Sequence, residues 1–210
     1  KKVPSKELSL IVPVYKNIED TIKNLDTTLG HSPSIKEVII YSNGSSEEDN
    51  EILFNKYSSN PIIKIITKKE PIGFTKAVNE MFKMAKYENI LCINSDASLY
   101  GDWENRLLPY LDNPEFGIVG PMKVRDFILG CCFIVKKSVL NKIGMLDEGF
   151  GMGYVEDVEF SNRVERNGLK LGHATYKNDF DWDPYVDFPI YHRQGASFEL
   201  LEDKQKKDWN

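Results

Sequence analysis

Histidine and cysteine are scarce in this chain, three of each in 210 residues. Cys92 lies inside an apolar run, and Cys131 and Cys132 are adjacent. Neither a disulfide framework nor a cysteine metal-ligand spacing can be built from them. A reducing setting follows, and the expected location is cytoplasmic, with the inner face of a membrane as a second place. No apolar run is long enough to span a bilayer, and no secretory leader opens the sequence. An excess of basic charge is missing as well. Lys and Arg number 27 against 32 Asp and Glu, a net charge of −5. They are scattered rather than gathered into a stripe, which argues against a nucleic-acid partner. Internal repeats and low-complexity linkers are also absent. The chain starts at Lys1 and stops at Asn210, and reads as one domain over residues 1–210, cut from a longer polypeptide or trimmed.

With 41% hydrophobic residues the chain can build a proper core. Leu8 to Tyr15 is an apolar, β-branched run that the chain leaves at Pro13, a first central strand. Glu19 to Leu29 places Ile22, Leu25 and Leu29 at helical spacing, with Asn17 as candidate N-cap. Val38 to Tyr41 is a second strand, and Ser42-Asn43-Gly44-Ser45 turns the chain sharply. Glu47, Glu48 and Asp49 then open a second helix. Ile62 to Ile66 is a third strand. Thr75 to Lys86 is a third helix, with Ala77, Val78, Met81, Phe82 and Ala85 on one face. Ile90 to Ile93 is a fourth strand. This alternation predicts a doubly wound, mostly parallel α/β sheet.

The second half differs in texture. Trp103 to Leu111 is predicted as a helix, Gly117 to Gly120 as a short strand, and Ile128 to Val135 as a longer strand interrupted at Gly130. A helix over Lys137 to Ile143 follows. A glycine-rich loop (Gly149, Gly151, Gly153) leads into another helix containing Glu156 and Asp157, with Val158 and Val164 inward and Gly168 at its end. From Lys177 onward the sequence is irregular, rich in aromatics and aspartate, and carries His192.

Asn94-Ser95-Asp96 closes the fourth strand. In open α/β sheets ligands bind beyond the carboxyl ends of the strands, so Asp96 would face a crevice. A carboxylate beside an amide and a hydroxyl suits Mg²⁺ or Mn²⁺, held partly by substrate phosphates. The plainer reading is an Asx turn that ends the strand.

Taken in order, these segments resemble the family-2 glycosyltransferases of the GT-A fold. Pro13, Tyr15 and Asn17 match that family's first-strand signature, and Asn43-Gly44-Ser45 its second-strand turn. Gly73, Phe74 and Asn79 match its Gly-Phe helix, and Asn94-Ser95-Asp96 its Asp-x-Asp position. Gly144 to Glu148, Phe150, Glu156-Asp157 and Arg163 are similar to its acceptor-side block, and His192 to its late histidine. The resemblance spans about nine-tenths of the chain, and the ordered set is specific where each piece is weak.

The resemblance implies a doubly wound, Rossmann-like donor half over residues 1–100 and an acceptor half over residues 101–210 with a smaller sheet. It implies inverting transfer of a glucose-, galactose- or rhamnose-type sugar from a UDP- or dTDP-sugar to a surface glycan or glycoconjugate. Donor contacts would come from Pro13, Val14, Tyr15, Asn17, Ser42, Asn43, Gly73, Lys76, Asn79, Asn94, Ser95 and Asp96. Asp96 and His192 would hold a divalent cation that offsets charge on the leaving diphosphate. Asp157 would take the acceptor's proton. Gly130, Cys131, Glu156 and Trp182 would line the acceptor site.

Two residues depart from the family pattern. Ser42 stands where an aspartate usually reads the base, and a hydroxyl bonds a base more weakly than a charged acceptor. Asn94 replaces the first carboxylate of the Asp-x-Asp pair. Each site residue also has a plain reading. Asp157 could be a charge favoured at a helix N-terminus, His192 a hydrogen-bonded surface histidine, Cys131 and Cys132 packing residues, and Trp182 a cover for the core. Two further functional readings stand beside the transferase: a non-catalytic sugar-nucleotide-binding module and a sugar nucleotidyltransferase. The second lacks its glycine- and Arg/Lys-rich loop after the first strand.

Overall fold

A computed structural model describes residues 6–150, 155–178 and 187–194. Four parallel strands form the donor half: β1 (Leu8–Val14), β2 (Ile35–Asn43), β3 (Ile63–Lys68) and β4 (Asn89–Ile93). Helices α1 (Ile18–Gly30), α2 (Glu47–Tyr57) and α3 (Phe74–Met84) connect them. The sheet order in this half is β3-β2-β1-β4, all neighbours parallel.

Successive strand residues feed opposite layers, as the two-residue pleat requires. Leu8, Leu10, Val12, Val38, Ile40 and Leu91 pack with Leu25 of α1 and Leu53 of α2. Ile11, Ile39, Tyr41, Ile90 and Cys92 pack with Ala77, Val78, Met81 and Phe82 of α3. Helices therefore cover both faces of the central strands, which hold apolar runs such as Val38 to Tyr41 and Ile90 to Ile93, while the edge strand β3 carries exposed Lys64. Helix α2 starts with a capping box, in which Ser46 Oγ accepts from Asp49 N–H at 3.0 Å and Ser46 N–H donates to Asp49 Oδ2 at 3.3 Å.

Beyond β4 the chain forms β5 (Ala97–Leu99), α4 (Trp103–Leu107), a 3₁₀ turn over residues 108–112, β6 (Phe116–Val124), β7 (Phe127–Ile128) and β8 (Cys132–Lys136). Then come α5 (Lys137–Ile143), a 3₁₀ turn over residues 148–150, α6 (Glu156–Arg166), β9 (Lys170–Lys177) and β10 (Ile190–His192). Strand β8 joins β4 antiparallel, β6 joins β8, and β9 pairs with β6 in parallel. The acceptor half thus continues the central sheet, and the smaller sheet is the β10–β5 ribbon.

Several expectations change here. Asn17 does occupy the N-cap position of α1, its carbonyl accepting from Thr21 N–H at 3.1 Å, but its backbone is left-handed (φ 53°, ψ 46°) and its side chain makes no capping bond. The helix expected from Trp103 to Leu111 is α-helical only to Leu107, because Pro109 near the start of the next turn cannot donate to it. The expected Ile128–Val135 strand breaks into β7 and β8 around Gly130. In α6 the inward residues are Phe160, Ser161 and Val164, while Val158 is half-buried. Strands β5, β9 and β10 carry too little apolar alternation to stand out, and pairing partners create them.

Candidate functional site

The carboxyl ends of β1, β2 and β4 open on one edge of the sheet, and the sequence places polar residues at each. At the end of β1 the chain passes through two consecutive left-handed residues, Lys16 (φ 54°) and Asn17 (φ 53°). Side chains with a Cβ rarely adopt this region, and such strain collects at functional sites. Lys16 N–H is held by Ser45 Oγ at 3.0 Å, which ties this turn to the one after β2. Tyr15 is half-buried, with the Lys16 ammonium 5.1 Å from its ring centre.

Buried polar atoms normally have partners. Among the described residues, five buried side-chain atoms have none: Asn17 Nδ2, Ser42 Oγ, Asn50 Oδ1, Thr75 Oγ1 and Asn94 Oδ1. Four of these lie at the ends of β1, β2 and β4 or in the first turn of α3. Donors and acceptors are both represented, as recognition of a polar ligand requires. Ser42 itself is fully buried.

Two other predicted donor residues hold backbone. Asn43 Oδ1 accepts from Ile72 N–H at 2.8 Å and its Nδ2 donates to the Gly73 carbonyl at 3.2 Å, which fixes the loop entering α3. Gly44 (φ +93°) allows that loop to come close, since a Cβ there would lie 2.9 Å from Pro71 Cδ. Asn79 reaches the acceptor-side block, donating to the Leu146 carbonyl (2.9 Å) and Glu148 Oε1 (3.0 Å) and accepting from Leu146 N–H (3.1 Å). Lys76 is exposed on α3.

After β4, Ala97 N–H bonds the Asn94 carbonyl at 3.0 Å, so the segment does form a turn. Its Asp96 carboxylate, however, points to His192, with Oδ1 3.3 Å from Nε2. The β10–β5 pairing places His192 opposite Ala97, and Arg193 N–H donates to the Asp96 carbonyl at 3.0 Å. Asn24 of α1 donates to the Ser95 carbonyl at 3.0 Å. The sequence reading missed this residue, although a buried amide on an apolar helix face was a visible signal. Burial works against charge on the His192 ring, but the Cys131 sulfur and the Asp96 carboxylate outweigh it and hold the ring at about 10. To ligate a cation the ring must release that proton. A carboxylate and an imidazole side by side, next to an unpartnered amide oxygen, are a donor set suited to Mn²⁺ or Mg²⁺ with diphosphate completing the shell.

On the acceptor side, Asp157 lies in the first turn of α6. Its Oδ2 accepts from Gly130 N–H at 3.0 Å and its Oδ1 from Val158 N–H at 2.8 Å. Burial raises its proton affinity, and these N–H groups oppose the rise without cancelling it. A small cavity beside it is lined by Phe74, Phe133, Leu146 and Phe160 together with Gly130 and Glu156. Glu156 is buried and turns back on its own helix start, its Oε2 accepting from Val155 N–H at 3.0 Å. Trp182, Gly151 and Gly153 lie outside the described residues.

The Asp96 and Asp157 regions approach each other through one dipeptide. Gly130 bonds Asp157, and the next residue, Cys131, accepts from Asn94 N–H at 2.8 Å through its carbonyl. The Cys131 side chain is also hydrogen-bonded to His192. Asp96 and Asp157 therefore share one neighbourhood at the carboxyl edge of the sheet.

The mixed sheet, with its parallel first half and an acidic turn at its carboxyl edge, is a GT-A fold. Two solved structures share this fold: the mannosyltransferase PcManGT of Pyrobaculum calidifontis in complex with GDP-Man and Mn²⁺, and GalNAc-T7 with UDP, GalNAc and Mn²⁺. The first matches with a TM-score of 0.71 and 15% identity over 85% of this chain and 58% of its own. The second gives 0.73 and 12% over 97% and 49%. The chain belongs to glycosyl transferase family 2, whose profile matches residues 9–129. It is similar to the poly-β-1,6-N-acetyl-D-glucosamine synthases of Staphylococcus epidermidis (26% identity over 71% of this chain) and Staphylococcus aureus (26% over 67%). The chain spans about a third of the length of these relatives (34% and 32%). No helix among the described residues is long and apolar enough to cross a membrane.

Proposed function

We propose that this domain transfers a hexosyl or deoxyhexosyl unit from a nucleoside diphosphate sugar to a hydroxyl of a growing glycan or glycoconjugate, inverting the anomeric centre. The observation that carries this reading is that Gly130 bonds Asp157 while the next residue, Cys131, adjoins Asn94 and the His192–Asp96 pair. Asp157 takes the proton of the acceptor hydroxyl while that oxygen bonds the anomeric carbon, and the bond from this carbon to the diphosphate oxygen breaks on the opposite face. The divalent cation, when bound, stabilises charge on the departing diphosphate, and Asp96 and His192 are the residues that would hold it. The unpartnered groups of Asn17, Ser42, Thr75 and Asn94 supply hydrogen bonds for the nucleotide. Family membership, Mn²⁺ and nucleotide in both solved relatives, and the polysaccharide made by the curated ones support the same class.

The donor base is proposed as uracil or thymine. Ser42 offers a neutral hydroxyl to it, which gives weaker base selection than a carboxylate would. A thermal-shift panel of UDP-, dTDP- and GDP-sugars, with glucose, galactose, rhamnose, mannose and N-acetylglucosamine forms, run with Mn²⁺ and with chelator, tests the reading. Stabilisation by one nucleotide family that chelator removes is the expected result. Indifference to every nucleotide sugar would remove the proposal. Binding without transfer to any glycan would favour the non-catalytic module, the alternative to which Ser42 and Asn94 give weight.

A further inference from the structure

Gly130 lies between β7 and β8, where the expected long strand breaks. Its N–H and that of Val158 each fix one oxygen of Asp157, at 3.0 and 2.8 Å. The two donors come from separate parts of the chain, and among the described residues the bonds holding the carboxylate come from backbone N–H groups. A Cβ added to Gly130 would lie 3.1 Å from Asp157 Cβ and 3.2 Å from its Oδ2. The backbone of Gly130 is not among those with positive φ. A side chain at this position is therefore crowded by Asp157, which must give by a few tenths of an ångström, and not by the local conformation.

The next residue faces the other half of the site. Cys131 carries the carbonyl that accepts from Asn94 N–H at 2.8 Å and a side chain bonded to His192, which pairs with Asp96 at 3.3 Å. Consecutive Cα atoms are about 3.8 Å apart whatever the side chains do. A peptide of fixed length thus joins the contact with the base to the contact with the donor turn.

We propose that Gly130 is a positioning residue for Asp157, and that the connector over residues 129–131 sets the spacing between the base and the donor-side carboxylate. This rests on the reading of Asp157 as the general base. A methyl group at 130 shifts the Asp157 carboxylate by a few tenths of an ångström against its two backbone donors while leaving the strand ends of the donor half untouched. The effect falls on the chemical step and spares nucleotide binding.

The test is Gly130→Ala in the full chain, beside Asp157→Asn. The expected result is a fall in kcat of roughly 3- to 10-fold, below the roughly 100-fold of a full ångström displacement of a reacting group, with nucleotide affinity within about twofold by calorimetry. An unchanged kcat in Gly130→Ala alongside an inactive Asp157→Asn would overturn the role of Gly130 and leave the base in place. Loss of nucleotide affinity in parallel with kcat would also overturn it, since general disruption would then explain both. Full transfer by Asp157→Asn would remove the underlying reading. A measurement that needs no substitution at 130 is amide hydrogen exchange at Gly130 in the wild type and in Asp157→Ala. Exchange faster by about tenfold or more in the variant supports the contact, and equal protection refutes it.

Discussion

Asn79 on α3 and Leu146, 67 residues further along, are joined by two hydrogen bonds, Nδ2 to the Leu146 carbonyl at 2.9 Å and Leu146 N–H to Oδ1 at 3.1 Å. One amide satisfies both main-chain groups of a buried residue, and it fastens the start of the acceptor loop to a donor-half helix. Asn79→Ala leaves that N–H and carbonyl without partners. The expected loss is roughly 2–4 kcal/mol of stability, read as a lower urea midpoint at unchanged slope. A variant as stable as the wild type would show that water replaces the amide.

Asp157→Asn removes the proposed base and keeps the volume. Transfer should fall by about 10²- to 10⁴-fold, the range of a positioned general base, with nucleotide binding nearly unchanged in calorimetry. Equal loss of binding and turnover would contradict the assignment.

Asp96→Ala should act on the other side of the reaction. Nucleotide affinity measured with Mn²⁺ is expected to drop, while the weaker affinity measured with chelator stays the same. A drop of equal size under both conditions would locate Asp96 in the fold rather than at the cation.

The pH dependence follows from burial of Asp157, which raises its proton affinity above the ordinary aspartate value of 3.8. As pH falls, the carboxylate takes up its proton earlier than a solvated aspartate would, so the acid limb of kcat should lie above that value. The stability linkage has the matching sign. The folded protein binds this proton more tightly than the unfolded chain, so this group's contribution is lost as pH rises from the unfolded value through the folded one. Profiles of kcat and of the urea midpoint against pH measure the two effects separately.

Much of the donor half could be read from the chain directly. Its central strands hold apolar runs such as Ile90 to Ile93, β3 stands out by its isoleucines despite Lys64, and helix α3 shows its buried face by spacing alone. The site positions at the strand ends were also legible, because Asn-Gly-Ser and Asn-Ser-Asp are polar stops after apolar runs. What the sequence did not disclose were the bonds that cross between halves. Asn43 and Asn79 look like ligand-facing amides until their backbone partners are known. The place of His192 depends on β10, three residues long and defined by its pairing with Ala97 to Leu99. The break at Gly130 was visible as an interruption, yet its cause, the Asp157 carboxylate 27 residues later, is a long-range contact with no local signature.

Strand β8 runs against its neighbour β4, with Cys132 opposite Ile93 and Lys136 opposite Asn89. Reversing it would move its first residue to the far rim, roughly 13–17 Å away for a five-residue strand at about 3.3 Å per residue. A carboxylate hung from that entry could not then reach a sugar lying over β4. The direction of a single strand is therefore what would let the two proposed binding regions, far apart in the chain, face one reacting carbon, and grafting new acceptor segments onto this scaffold would have to keep that direction.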